Sequence, residues 1–257
     1  GTRKGRGRPR KPQWDRSPPN SDLPTCGITG RFLAKPVTFY RVRISLREMP
    51  MTGDAPTLLV AGTSHCGKTT LAAMIGDRLG WSVLSTDSLG RHPGRPWPEV
   101  RPHVADFYAN LADESIYQLL LHHYENIWPV VLRTIHEYKQ SGMPLILEGS
   151  ALRPDLVSKL AAPNTMIICL HADPGFLRDR MRHESGRERS DPTRQIVIDK
   201  FIERSLRDNS DIVKTAKRFG LRCIDAGQPD ALDEFVASFL CDYGVGALPT
   251  NSKSNRP

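Results

Sequence analysis

The sequence has no run of about 18 or more consecutive apolar residues, so it offers no membrane-spanning helix. Its N-terminal region has no apolar core followed by a small-residue cleavage site, which argues against a secretory signal peptide. The five cysteines (Cys26, Cys66, Cys169, Cys223, Cys241) are odd in number, widely spread and never in a C-x-x-C pair. Neither a disulfide framework nor a zinc site is indicated, and reduced thiols in a cytoplasmic protein are the simplest account. There is no internal repeat, and the composition excludes collagen-like and coiled-coil chains. What is there, 257 residues with 39% hydrophobic and 25% charged, suits one globular domain with a sizeable core plus an appendage.

Net charge is also missing from most of the chain. Residues 1–50 carry 12 Lys+Arg against 3 Asp+Glu, net +9, while residues 51–257 carry 24 against 25, net −1, so all of the excess positive charge belongs to the arm. The near-neutral remainder gives no composition-level argument for nucleic-acid binding. The arm holds seven prolines and few aliphatic residues before Phe32, so residues 1 to about 30 are expected to be disordered. Within it, Gly5-Arg6-Gly7-Arg8-Pro9-Arg10-Lys11-Pro12 resembles an AT-hook, with Arg6, Arg8 and Pro9 as the core that would enter an A·T minor groove. Low-complexity coincidence is the competing account. An Arg-rich, acid-poor start also permits an organelle transit peptide. Met51, six residues before the first strand, marks a third option, in which the arm is dispensable; strand-like alternation over Thr38 to Leu46 weighs against it. The expected organisation is an extension over 1–50, a domain over 51–242 and a flexible tail over 243–257.

Periodicity then orders the domain. Thr57-Leu58-Leu59-Val60-Ala61-Gly62 is an apolar run of strand length ending at glycine, followed by a loop and the helix-forming stretch Thr69 to Leu79. Trp81 to Ser85 reads as a second strand and the Pro/Gly-rich Arg91 to Pro102 as loop. Asp113 to Gln140 reads as one or two helices, kinked or divided at Pro129. Further strands are expected at Leu145 to Leu147, Thr165 to Leu170 and Leu221 to Asp225. Helices are expected over Arg153 to Ala162, Pro174 to about His183, Pro192 or Thr193 to Arg218, and Asp230 to Leu240. Apolar strands alternating with helices imply a parallel sheet covered on both faces, a three-layer α/β/α fold.

The motif that carries chemistry is Gly62-Thr63-Ser64-His65-Cys66-Gly67-Lys68-Thr69, which fits G-x-x-x-x-G-K-[ST] at every fixed position. Its glycines let backbone N–H groups curl into an anion nest at a helix N-terminus, Lys68 reaches the β- and γ-phosphates, and the Thr69 hydroxyl ligates Mg2+. Nucleotide contacts are therefore assigned to Gly62, Thr63, Ser64, His65, Cys66, Gly67, Lys68, Thr69 and Thr70. His65 and Cys66 read as loop filler, with an oxidation-sensitive thiol beside Lys68 as the alternative.

The order of phosphate loop, Asp past the second strand, acidic residue after the third and arginine-rich lid before the fifth resembles the P-loop small-molecule kinases. Ser85-Thr86-Asp87 and Glu148-Gly149-x-x-Leu152-x-Pro154 are most similar to the 2-phosphoglycerate kinase-like group, with zeta-toxin-like kinases close behind. The resemblance covers roughly residues 56–240. It implies a P-loop NTPase fold with five parallel strands in the order 2-3-1-4-5 and a helical lid, Glu148 near Mg2+ and the transferring phosphate, and an adenine site shaped by Ile224-Asp225-Ala226-Gly227. His65-Cys66 departs from the group's small-residue loop, and the segments at 91–102 and 113–140 prevent transfer of substrate identity.

Asp87 also follows from position alone. At the carboxyl edge of a parallel sheet, where α/β folds place ligands, its carboxylate can orient or deprotonate an acceptor hydroxyl; an Asx turn or cap with Ser88 is the alternative. Glu148 ends a buried strand at the same edge, where an unpartnered carboxylate would be costly. Arg178, Arg182, Arg187 and Arg189 bracket the break at Ser185-Gly186, and a mobile arginine lid suits phosphoryl transfer, with Arg182 and Arg187 the first choices. Pairing with Asp179, Glu184, Glu188 and Asp191 on a solvated surface is the competing reading. Arg91, His92 and Arg95 could clamp an anionic acceptor, and Arg153 is a further anion contact. His122, His123 and His136 read as surface or inter-helix residues. Together these point to a kinase using ATP and Mg2+, with Lys68 and lid arginines neutralising the phosphoryl group and Asp87 preparing the hydroxyl of a small acceptor. The alternatives are a nucleotide-dependent switch without such an acceptor and a zeta-toxin-like kinase of a nucleotide-sugar. A guanine reading lacks the Asn-Lys-x-Asp base-recognition motif.

Overall fold

The computed structural model describes residues 55–91 and 94–243. The arm with its Arg6-Arg8-Pro9 core, the Thr38 to Leu46 alternation, Met51, His92 and the tail beyond Tyr243 lie outside the described residues. Five strands form one parallel sheet: β1 (Thr57–Gly62), β2 (Ser82–Ser85), β3 (Leu145–Gly149), β4 (Thr165–His171) and β5 (Arg222–Asp225), in the order β2-β3-β1-β4-β5. With the phosphate loop after the central strand, this is the α/β P-loop NTPase arrangement.

The strands divide two cores by their period of two. Leu58 and Val60 of β1, Ile146 of β3, and Ile168 and Leu170 of β4 face one layer. Leu59 and Ala61, Leu145 and Leu147, and Ile167 and Cys169 face the other. The first core is closed by α1 (Lys68–Leu79), α2 (Pro102–Asn110), α5 (Pro174–Ser185), α6 (Pro192–Arg218) and α7 (Ala231–Asp242). The second is closed mainly by α3 (Asp113–Gln140), with the short α4 (Pro154–Val157) and Ile212 and Ala216 of α6. Each fully buried aliphatic side chain contributes about 1.5–3 kcal/mol, and β1, with all six of its residues buried, is firmly anchored between the two cores.

Capping sets the helix starts. Asp173 accepts from the N–H groups of Gly175 (2.7 Å) and Phe176 (3.2 Å) with Pro174 opening α5, and Asp191 accepts from Arg194 N–H (3.0 Å) with Pro192 opening α6.

Helix α2 fills the stretch between the expected loop, which ends at Pro102, and the helix expected from Asp113; Pro102 opens it at a position that needs no N–H, and Val104 and Tyr108 share its buried face. Two expectations need correction. Pro129 does not divide α3, because it stands on the exposed side, where water can take the Glu125 carbonyl it leaves without a donor. The helix expected over Arg153 to Ala162 is one turn of α-helix followed by a 3-10 turn over Ser158–Leu160.

Candidate active site

The register brings the site to the carboxyl edge of the sheet. Glu148 of β3 is level with Val60 of β1 and with Ser85 of β2, so the ends of these strands deliver the phosphate loop, the Asp87 turn and the Glu148 carboxylate to one place. A cavity of about 370 Å³ opens there.

The phosphate loop leaves β1 at Gly62, where an added Cβ would stand 2.5 Å from the Leu170 carbonyl oxygen and 2.7 Å from Cys66 Sγ. No side chain fits there, so the loop can lie flat on β4 only with glycine. The Thr63 hydroxyl donates to the Ser205 carbonyl at 2.9 Å, tying the loop to α6. Lys68, 8% exposed, donates from Nζ to the Thr63 carbonyl at 2.6 Å. Cys66 is fully buried, its Sγ donates to the same carbonyl at 2.9 Å, and burial pushes its thiol up, against the opposing pull of Lys68. The thiolate that oxidation requires is thus suppressed. His65 is more than filler: it has φ +67°, its ring packs beside Trp97 and Phe201, and burial lowers its pKa to about 4 despite the neighbouring Glu184.

The Thr69 hydroxyl lies 3.1 Å from Glu148 Oε1, and Glu148 is 3% exposed. One hydroxyl and one buried carboxylate at the foot of a phosphate loop fit Mg2+, which keeps several waters and takes one or two carboxylates plus phosphate oxygens. No group of three or more His, Cys, Asp or Glu suited to a metal occurs among the described residues, so a metal held by protein ligands alone is not supported there.

Asp87 is exposed on a 3-10 turn, Thr86–Ser88, that continues β2. The turn is capped by Ser85, whose Oγ accepts from Asp87 N–H at 3.3 Å while Ser88 Oγ donates to the Ser85 carbonyl at 2.6 Å. Ser85 is thus the cap of this turn, and Asp87 lines the cavity. Gly149 fixes this turn against β3: with φ +152°, its added Cβ would lie 1.7 Å from Thr86 Oγ1.

Of the residues singled out in the sequence, the cavity brings together Ser64, His65, Gly67, Lys68, Thr69, Thr70, Asp87, Arg95 and Glu148. Gly62, Thr63 and Cys66 shape the loop from behind. Arg91, Arg153, Arg182 and Arg187 do not line the cavity. Arg153 is committed to a buried pair with Asp208 at 2.6 Å, and Arg187 clamps Asp199 through Nε (2.5 Å) and Nη2 (2.6 Å). Arg182 is half-buried, its Nε without a hydrogen-bond partner.

Two other arginines reach the cavity. Arg180 lies between the two helical arginines chosen from the sequence, on the face it shares with Phe176 and Glu184 at i, i+4 spacing, the signal that could have found it. Arg204, on α6, lies 4.5 Å over the Phe201 ring, and its Nη2 reaches Ser64 Oγ (3.5 Å) and Ser205 Oγ (3.2 Å). Burial works against its charge, but Tyr108, Tyr124, Asp208 and Asp87 outweigh that and raise its pKa. From α3 come Leu120, His123, Tyr124 and Ile127, so His123 belongs to the cavity and only His122 and His136 are exposed as expected. The Ile224 to Gly227 segment forms a turn in which Asp225 Oδ1 accepts from Gly227 N–H at 2.9 Å.

No protein-family model matches the chain. Among solved structures it is similar to a gluconokinase from Sinorhizobium meliloti, with 22% identity, 74% of this chain and 91% of that chain covered, and a TM-score of 0.43. It is similar also to a shikimate kinase from Aquifex aeolicus, with 11% identity, 74% and 99% covered, and a TM-score of 0.43. No helix among the described residues is long and apolar enough to cross a membrane.

Proposed function

We propose that the protein is a kinase that transfers the γ-phosphoryl group of ATP, with Mg2+, to a hydroxyl of a small metabolite. The observation that carries this reading is the convergence on one cavity of a phosphate loop, the Thr69–Glu148 pair and a turn-borne carboxylate, Asp87. A nucleotide switch needs the first two; the third supplies what an acceptor hydroxyl requires.

Backbone N–H groups of the loop and the start of α1 bind the phosphates, and Lys68 exchanges the Thr63 carbonyl for a phosphate oxygen. Thr69 and Glu148 would hold Mg2+, which supplies charge neutralisation on the phosphates. Asp87 accepts the proton of the acceptor hydroxyl as the new P–O bond forms and the bond from phosphorus to the bridging oxygen breaks, releasing ADP. Arg204 and Arg180 stabilise the charge on the transferring oxygens, in the part first assigned to Arg182 and Arg187. Leu120 and Ile127 exclude water from the acceptor side. The 2-phosphoglycerate kinase-like resemblance proposes a phosphorylated hydroxy acid as acceptor, beside which Arg95 would lie in the cavity lining.

The test is transfer of label from γ-labelled ATP to a pool of hydroxylated and phosphorylated metabolites, with Lys68→Ala as control. Labelled organic product, lost in the variant, supports the reading. Release of inorganic phosphate alone, unaffected by any acceptor, contradicts it.

A further inference from the structure

Three segments at the rim of the cavity meet at one carboxylate, Glu184, for which the proposed reaction has no use. Glu184 stands near the C-terminal end of α5. Its Oε1 accepts from Arg95 Nη1 at 2.5 Å and from the Trp97 indole Nε1 at 3.4 Å, both on the segment that follows the Asp87 turn. Its Oε2 lies 3.1 Å from His65 Nε2 in the phosphate loop.

His65 holds this place against its own preferences. Its backbone has φ +67°, a region L residues seldom adopt, and its side chain is 5% exposed. The ring centroid is 5.5 Å from that of Trp97 and 6.2 Å from that of Phe201, and neither ring nitrogen makes an aligned hydrogen bond. With its pKa lowered to about 4 by burial, the ring is uncharged at neutral pH, so its contact with Glu184 is not an ion pair. The loop is thus wedged at His65 between the acceptor segment and α6, and Glu184 fastens the acceptor segment to α5 beside it.

We propose that Glu184 is a positioning residue that holds the acceptor segment on α5 with Trp97 packed against His65, so that the phosphate loop's fit to phosphate depends on Arg95 and Trp97 being in place. This rests on the reading of the cavity as a nucleotide and acceptor site. Two effects of Glu184 on phosphate binding have opposite signs. As a bare negative charge at the rim of an anion site it weakens phosphate binding, and its removal would tighten it. As a fastening built on a charge-assisted hydrogen bond and an indole contact, its removal loosens the loop and weakens binding.

The experiment uses the full chain as wild type, Glu184→Ala and Glu184→Gln, with Trp97→Phe as a variant that keeps the ring and loses the indole donor. Two quantities are read: amide exchange over residues 62–68 and 94–97 in ligand-free protein, and Mg-ADP affinity by calorimetry. Glu184→Ala is expected to speed exchange in both segments by about tenfold and to weaken ADP binding about three- to tenfold. Glu184→Gln, which keeps the shape and a carbonyl acceptor but loses the charge assistance, and Trp97→Phe are both expected to fall between wild type and Glu184→Ala. Tighter ADP binding in both Glu184 variants, or unchanged exchange in Glu184→Ala, overturns the proposal. Faster exchange in Glu184→Ala when wild type binds no ADP would support the fastening and refute the nucleotide reading instead.

Discussion

Replacing Gly149 by alanine should damage the domain at the point where the site is assembled. Gly149 is the last residue of β3, one position past Glu148, and its φ of +152° is one that L side chains rarely adopt. Forcing alanine into such a conformation costs about 1–3 kcal/mol. The new methyl would also meet Thr86 at 1.7 Å (Oγ1), 2.8 Å (Cβ) and 3.0 Å (Cγ2). Thr86 is 1% exposed and carries the turn that presents Asp87, so it cannot swing into solvent. Overpacking of this kind adds about 1–3 kcal/mol, for a total of about 2–6 kcal/mol. At about 2–4 °C per kcal/mol for a domain of this size, the melting temperature should fall by about 4–24 °C in scanning calorimetry. Adding Thr86→Ala removes two of the three clashes and should recover part of the loss, leaving the backbone strain. A single variant that melts within about 1 °C of wild type would refute the contact between the β3 end and the Asp87 turn.

Other perturbations separate structural from catalytic charge. Arg153→Ala leaves Asp208, 2% exposed, without its partner, so a loss of about 3–5 kcal/mol is expected in urea unfolding, whereas a substrate contact would change KM and spare stability. Burial holds His65 near 4 in the folded chain against 6.5 unfolded, so between these values the unfolded state binds more protons and stability falls with acidification. From pH 7 to pH 5 the His65 share of that loss is about 2 kcal/mol, and His65→Gln should melt with a correspondingly flatter pH dependence; equal slopes for both proteins would remove His65 as the cause. Arg204→Ala should cut turnover by about 100-fold or more, with Arg204→Lys recovering little, because a lysine lacks the planar fork that spans Phe201, Ser64 and the cavity. Full activity in Arg204→Lys would refute that assignment.

The central parts of this molecule were legible because local chemistry dictates them. The strand Thr57–Gly62 is an apolar run closed by a glycine, and the phosphate loop is defined by backbone spacing that tolerates no other residue at Gly62. The carboxyl-edge positions of Asp87 and Glu148 follow once the strands are known to be parallel. The arginines were harder for a physical reason. In the sequence the arginines that flank the Ser185-Gly186 break stand out, yet α6 brings Arg204 to the phosphate loop, 140 residues from Ser64 in the chain. Arg153 and Arg187 are equally basic in sequence, and only the packing shows that Asp208 and Asp199 have taken them. His123 reads as an ordinary amphipathic-helix residue, because its place in the cavity depends on how α3 lies over the second core. Helix α2 starts where the proline-rich loop ends, and its two buried residues, Val104 and Tyr108, are too few to give a helical period in the sequence.

The most direct test of the kinase reading compares acceptor-dependent ADP release with Mg-ADP affinity in wild type and Asp87→Asn. Asparagine keeps the size of the side chain and removes the base. Turnover should fall by about 100-fold or more while ADP affinity stays within about threefold of wild type. Unchanged turnover in Asp87→Asn, or ADP release that no acceptor stimulates, would contradict the assignment of Asp87 as the group that prepares an acceptor hydroxyl.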